Sequence, residues 1–372
     1  MIFEIVIVFA ATLISAAVLV ALILRLSHHK SWYDHINDRK IHSGDVPRLG
    51  GIGFALVFLA GAIIIVALNQ NLEPITRLLP CYAGVCVIVA AGVWDDFRPM
   101  KPQLKLLIQV FAALCVIIPG FTFKRIFYFD GGLLGKLPWL GYPITLLWIV
   151  GLTNAINLID GVDGLAGGIS SIIALTYALI FFRAAEIPSV AFLLALLCVC
   201  LFGSILGFLV FNAPLPDAKI FMGDGGSQFL GFTLALLPLL EEHQTVSQLP
   251  VLYAAALLAI PIFDTTAAVW RRLRDGQRID IPDKAHTHHK LMNLGLNHRR
   301  IDAVMLGLQL LLSVLVFIAL QFDGWLSLGI LGVAYLSALA FFALLHFLNR
   351  KIVVSTGEES FPDNNTPTLV NR

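Results

Sequence analysis

Charge is scarce in this chain. Asp, Glu, Lys and Arg make up 13% of its 372 residues, whereas a soluble domain carries about a quarter. That shortage, with 58% hydrophobic residues and a mean hydropathy of +0.86, excludes a water-solvated globule and makes lipid the solvent for most of the chain. No basic tract and no interleaving of aromatic with basic residues is present, so nucleic acid is excluded as a partner. Cysteine is also sparse. Cys81, Cys86, Cys115, Cys198 and Cys200 sit in or beside apolar runs without paired metal-ligand spacing, and they read as small core residues. The first apolar run, Ile2 to Leu24, lacks a basic leader and meets its first cation at Arg25, so it reads as a retained helix rather than a signal peptide. There is no internal repeat, and in particular none of the inverted kind common in secondary transporters.

What the chain has in abundance is apolar runs of spanning length separated by short polar connections. About 20 apolar residues cross a bilayer as a helix, and lipid leaves backbone groups no other way to be satisfied. The fold class expected is therefore all-α, a polytopic membrane protein with about eleven helices. They fall near residues 2–24, 49–68, 78–94, 104–120, 142–159, 165–182, 189–211, 227–240, 250–270, 301–320 and 325–347. With the N-terminus outside, the connections on the cytoplasmic side hold 20 of the 25 Lys and Arg residues. Only Arg77, Lys124, Arg125, Lys136 and Arg183 fall on the other side, the asymmetry that the positive-inside rule describes. Residues 1–350 read as one transmembrane domain with cytoplasmic loops, and 351–372 as a polar, disordered cytoplasmic tail.

The few acids are clustered on that cytoplasmic side. Asp95 and Asp96 follow directly on an apolar run, and two adjacent carboxylates at an interface call for a cation. Asn157 and Asp160 share a helix face, while Gly161 and Gly164 end that helix and leave Asp163 in a loop. Polar groups on an apolar helix are costly in lipid and mark function by default. Phe221-Met222-Gly223-Asp224-Gly225-Gly226-Ser227 opens another helix. Its glycines allow successive N–H groups to form an anion nest, Ser227 is placed to cap the helix, and Asp224 is the first choice for a Mg²⁺ ligand. Asp264 lies seven residues before Arg271, deep enough to pair with a cation inside the bundle, and reads equally as functional or structural.

Cations and histidines share the same side. Arg271, Arg272, Arg274 and Arg278 precede His286-Thr287-His288-His289. Without cysteine, and amid so many cations, His286, His288 and His289 suit an anion better than Zn²⁺. The first loop adds Lys40, His42 and Arg48, which can meet substrate or lipid headgroups. Gly50, Gly51 and Gly53 permit close helix packing.

These stretches, in this order and on one membrane side, resemble the polyprenyl-phosphate N-acetylhexosamine-1-phosphate transferase family over about residues 38–300. The His286-Thr287-His288-His289 form is similar to the branch that uses UDP-GlcNAc, whereas the peptidoglycan branch has a run of consecutive histidines. The resemblance implies transfer of GlcNAc-1-phosphate from UDP-GlcNAc to undecaprenyl phosphate, with release of UMP and dependence on Mg²⁺ or Mn²⁺. It also implies a bacterial inner membrane, membrane lipids as surroundings and the initiating step of a cell-envelope polysaccharide such as O-antigen. A homodimer is left open. Matched residue by residue, Asp224 would hold the metal, Asp95 and Asp96 would serve the prenyl phosphate, and Asn157, Asp160 and Asp163 would line the nucleotide-sugar site. Asn212 and Phe221 would lie along the donor. A different UDP-N-acetylhexosamine donor is the near alternative, and an ion-coupled carrier the remote one.

Overall fold

A computed structural model describes residues 2–30, 32, 46–71, 75–124, 137–185, 189–213, 217–240, 249–278 and 286–356. Every apolar run expected to be helical is helical. The longer helices are α1 (Ile2–Lys30), α2 (Gly50–Leu68), α3 (Ile75–Phe97), α4 (Pro102–Ile117), α5 (Gly141–Ile159), α6 (Leu165–Ala184), α7 (Val190–Asn212) and α8 (Gly223–Leu236). They continue with α9 (Val251–Leu257), α10 (Ala259–Arg274), the short α11 (Thr287–Asn293), α12 (His298–Ala319) and α13 (Gly324–Thr356). Among the described residues, eight helices are long and apolar enough to cross a membrane, or nine if α9 and α10 count as one span.

Two expectations need correction. The run at 250–270 is not one helix but two, bent by 86° at Leu258. The carbonyl of Leu257, which meets Pro261 and no N–H four residues on, accepts from the buried Gln309 amide at 2.9 Å, so α12 repairs the ladder. The run expected at 227–240 begins its helix at Gly223, four residues before the expected start, and α8 has only 14 residues. At about 1.5 Å per residue it is roughly 21 Å long, short of the ~30 Å hydrocarbon core. The expected tail beyond residue 356 lies outside the described residues.

Helix α8 is short because it is interior. All its residues from Gly225 to Leu236 are buried, and it packs against α2, α3 and α5. Helices α1 and α13 lie at the periphery and keep their apolar side chains outward, as at Phe3, Leu22, Trp325 and Leu336. Close approach at the centre depends on glycine. A Cβ on Gly92 of α3 would sit 2.5 Å from Gly225 Cα, and one on Gly226 of α8 would sit 2.6 Å from Gly51 Cα of α2. The chain before α2 is stitched to the chain before α8 by main-chain bonds: Phe221 N–H to Pro47 at 2.7 Å, Gly50 N–H to Phe221 at 3.0 Å and Gly51 N–H to Met222 at 2.9 Å. The expected packing role of Gly50 and Gly51 holds, and its result is to deliver Asp224 to the ends of α3, α4 and α5.

Candidate active site

Asp95 and Asp96 lie on the last turn of α3 and face different partners. Asp96 accepts from the backbone N–H of Asp224 at 2.7 Å and of Gly225 at 3.1 Å. The nest that the glycine turn was expected to offer an anion is thus filled by Asp96, a carboxylate at the positive end of α8. Ser227 does not cap the helix as expected. It lies one turn in, where its hydroxyl donates to Gly223 O at 3.0 Å. Gly223 itself holds φ +71°, and a Cβ there would strike Asp96 Oδ2 at 2.7 Å, so only glycine fits.

Asp95 turns the other way. It accepts from Met100 N–H at 2.6 Å and from Lys105 Nζ at 2.8 Å. The same ammonium donates to Asp224, so Lys105, on the first turn of α4, clamps carboxylates from α3 and α8. Asn157 donates from its amide to Asp224 at 2.9 Å and to Ser227 Oγ at 2.8 Å. Burial pushes the Asp224 carboxyl up, but the hydrogen-bonded Asp95, the Lys105 charge and Asn157 outweigh it and hold it at about 2. Its side chain nevertheless keeps 34% exposure against 10% for Asp95, so it is the acid open to a ligand.

Helix α5 stops at Ile159, leaving Asp160 as its C-cap, and Gly164 at φ +83° starts α6. Asp163 therefore lies in the turn, as expected. Burial, then the charges of Asp224, Asp96 and Asp163, push Asp160 up to about 8, against the pull of Arg48. Arg48 and four carboxylates thus share one field. Asn212 is 4% exposed; it accepts from Gly164 N–H at 2.9 Å and donates to Ile220 O at 3.0 Å. Both ends of its amide are spent on main chain, so it ties the Asp160–Gly164 turn to the approach to Phe221. Phe221 is half-buried.

The histidine stretch is organised by Asp264. This buried acid accepts from His286 Nδ1 at 2.7 Å, from Thr287 N–H at 2.8 Å and from the Thr287 hydroxyl. Its partner is a histidine and a helix start, not one of the arginines that follow it. His288 packs on the acid turn, close enough that a Cβ on Gly161 would lie 2.7 Å from its ring, and it stands 4.3 Å from the His289 ring. Burial, then the neighbouring His289 charge, lower His288 to about 3, so it is neutral at pH 7. Lys40 and His42 lie outside the described residues. Sequence reasoning passed over Lys105, whose only sign was its place one turn into a helix. It also passed over Asp302, just beyond the first turn of α12, whose carboxyl lies in the field of Asp163.

Comparison with known proteins agrees with this geometry. Residues 78–241, which carry Asp95, Asp96, Asn157, Asp160 and Asp224, match the family described as glycosyl transferase family 4. The chain is 34% identical over 331 residues, 88% of each chain, to a protein of Bacillus subtilis (strain 168) named probable undecaprenyl-phosphate N-acetylglucosaminyl 1-phosphate transferase. It is 31% identical over 276 residues to the undecaprenyl-phosphate alpha-N-acetylglucosaminyl 1-phosphate transferase of Salmonella typhi, covering 72% of this chain and 71% of that one. The enzyme of that name from Escherichia coli (strain K12) is 29% identical over 270 residues, with the same shares. On these matches, and on the helices that bring the matched acids together, the chain belongs to glycosyl transferase family 4, among relatives named as undecaprenyl-phosphate GlcNAc-1-phosphate transferases.

Proposed function

We propose that this protein transfers GlcNAc-1-phosphate from UDP-GlcNAc to undecaprenyl phosphate, giving undecaprenyl-diphospho-GlcNAc and UMP. The observation that carries the reading is the meeting of Asp95 and Asp224 on Lys105, with Asp160 in the field of Asp224, at one end of a lipid-facing bundle. A lipid phosphate and a soluble nucleotide sugar can meet only at such an end. The names of the relatives support the same substrates. The distribution of Lys and Arg supports a cytoplasmic site in the inner membrane, with the N-terminus on the far side.

The chemistry follows from the charges. An oxygen of the lipid phosphate attacks the β-phosphorus of UDP-GlcNAc in line; the bond from that phosphorus to the bridging oxygen breaks, and UMP leaves with the electron pair. A phosphate monoester with its second pKa near 6 is already mostly dianionic at neutral pH, so positioning and charge neutralisation matter more than a general base. Lys105 and Arg48 supply fixed positive charge, Asp95 holds Lys105, and Asp96 holds the start of α8. His288, neutral and packed on Gly161, shapes the donor side.

The residues fit Mg²⁺ or Mn²⁺. Asp224 is open, and Asp160 is crowded by like charges that a cation would relieve. No three His, Cys, Asp or Glu side chains converge on an ion among the described residues, which suits an ion that takes its other ligands from water and substrate phosphates. Asp224 and Asp160 would hold it, and when bound it would neutralise charge on the transferred phosphoryl group. The acids lie at one end rather than at midplane, which disfavours an ion-coupled carrier. The decisive assay presents membranes containing the protein with undecaprenyl phosphate, Mg²⁺ and either UDP-GlcNAc or UDP-GalNAc, scoring UMP and lipid product. UMP and a GlcNAc-lipid are expected. Product from UDP-GalNAc alone would move the donor assignment, and no UMP with either donor would end the reading.

A further inference from the structure

Lys105, Asn157 and Asp224 meet at the open ends of α4, α5 and α8. One turn deeper, the same helices carry a second polar layer: Gln109, Asn154 and Gln228. Helices α4 and α8 enter the bundle from the site and α5 leaves toward it. Steps of four residues onward on the first two and three back on the third therefore all lead inward along one face.

These amides bond to each other across the three helices. Gln109 Nε2 donates to Gln228 Oε1 at 3.0 Å and to Asn154 Oδ1 at 3.2 Å, and Asn154 Nδ2 donates to Gln109 Oε1 at 2.7 Å. Gln109 and Gln228 are each 2% exposed, and the Gln228 amide nitrogen is buried without a partner. A half-satisfied buried network is a poor source of stability, and apolar side chains of the same shape serve packing as well or better. What the layer does provide is rotational phase. Each of its groups sits directly beneath a site residue on the same helix, so a helix that turns about its axis must break the inner bonds before the outer ones move.

We propose that Gln109, Asn154 and Gln228 are positioning residues that lock α4, α5 and α8 in the rotation that brings Lys105 and Asn157 onto Asp224. The kinetic consequence rests on the transferase reading; the positional one does not. Misplacement of about 1 Å can cost on the order of 10²-fold in rate.

The test compares the near-isosteric double variant Gln109→Met/Gln228→Met with wild type and with Gln309→Leu, which removes a buried amide on α12. Readouts are kcat, KM for UDP-GlcNAc, melting in detergent, and the rate at which a water-soluble ester acylates Lys105, followed by mass spectrometry. In the double variant kcat falls by about tenfold to a hundredfold with KM near wild type. Lys105, released from its two carboxylates, is acylated several-fold faster. Gln309→Leu lowers melting without changing kcat or acylation. Unchanged kcat and acylation in the double variant, or equal changes in the control, would overturn the proposal. If the double variant does not fold, Gln228→Met alone carries the same expectation at smaller size. If wild type releases no UMP, the transferase reading fails, while acylation of Lys105 still decides the positional claim.

Discussion

Two aspartates two turns or less from a helix end behave oppositely here. Asp264 is 3% exposed and spends its carboxylate on three bonds to His286 and Thr287, residues from the next segment of chain. Asp224 keeps about a third of its side chain open and shares its charge with Lys105, Asn157 and Asp95, which come from three other helices. The first is a closed knot whose partners leave nothing over for a ligand. The second is held by groups that a ligand can displace or join. An acid in an apolar bundle thus declares its use through the completeness of its bonds rather than through its depth.

That contrast is open to direct attack. Asp224→Asn keeps the shape of the side chain and removes its charge, so UMP release should fall by on the order of 10² or more, with melting in detergent little changed. Near-normal turnover at saturating Mg²⁺ would erase the distinction. Lys105→Met should come next, lowering turnover by on the order of tenfold to a hundredfold through lost electrostatic stabilisation. With the ammonium that competes for Asp224 removed, this variant should reach its own half-maximal rate at lower Mg²⁺ than wild type. Asp264→Ala should act through the fold instead. It leaves Thr287 N–H and His286 without an acceptor, at about 1–3 kcal/mol for each buried group, and should lower melting more than either site variant.

The smallest expected effect is in pH. Asp160 is raised to about 8, so the folded, cation-free protein holds a proton there that the unfolded chain releases near pH 4. Stability from this group is complete below pH 4 and is lost as pH rises through 8. Cation binding must expel the same proton, so apparent Mn²⁺ affinity should strengthen as pH rises toward 8. Asp160→Asn should flatten both trends. A melting profile and Mn²⁺ titration that stay pH-dependent in that variant would place the titrating group elsewhere.

The legible parts of this protein were those that depend on local pattern. Apolar run length in lipid dictates helix and leaves no alternative, so all the runs were found, along with the turn at Gly161 to Gly164 and the glycine contacts of α2. Polar residues on apolar helices stand out for the same reason, and Asn157 and Asp160 were picked out on that ground, while Asp224 was picked out by the glycine-rich start of its helix. What the pattern could not show was which of these groups answer one another. The cap of α8 comes from Asp96, 128 positions earlier, and local spacing favoured Ser227. Lys105 looked like one more cytoplasmic cation until α4 and α8 met.

Composition and periodicity by themselves determined a polytopic helical membrane protein, because lipid penalises open backbone and charge within its core. Tertiary structure alone decided the break of α9 from α10, the short interior α8 and the division of labour between Asp95 and Asp96. Each of those depends on which backbone N–H or carbonyl lies within about 3 Å of a given side chain, and that is settled by packing between helices far apart in sequence.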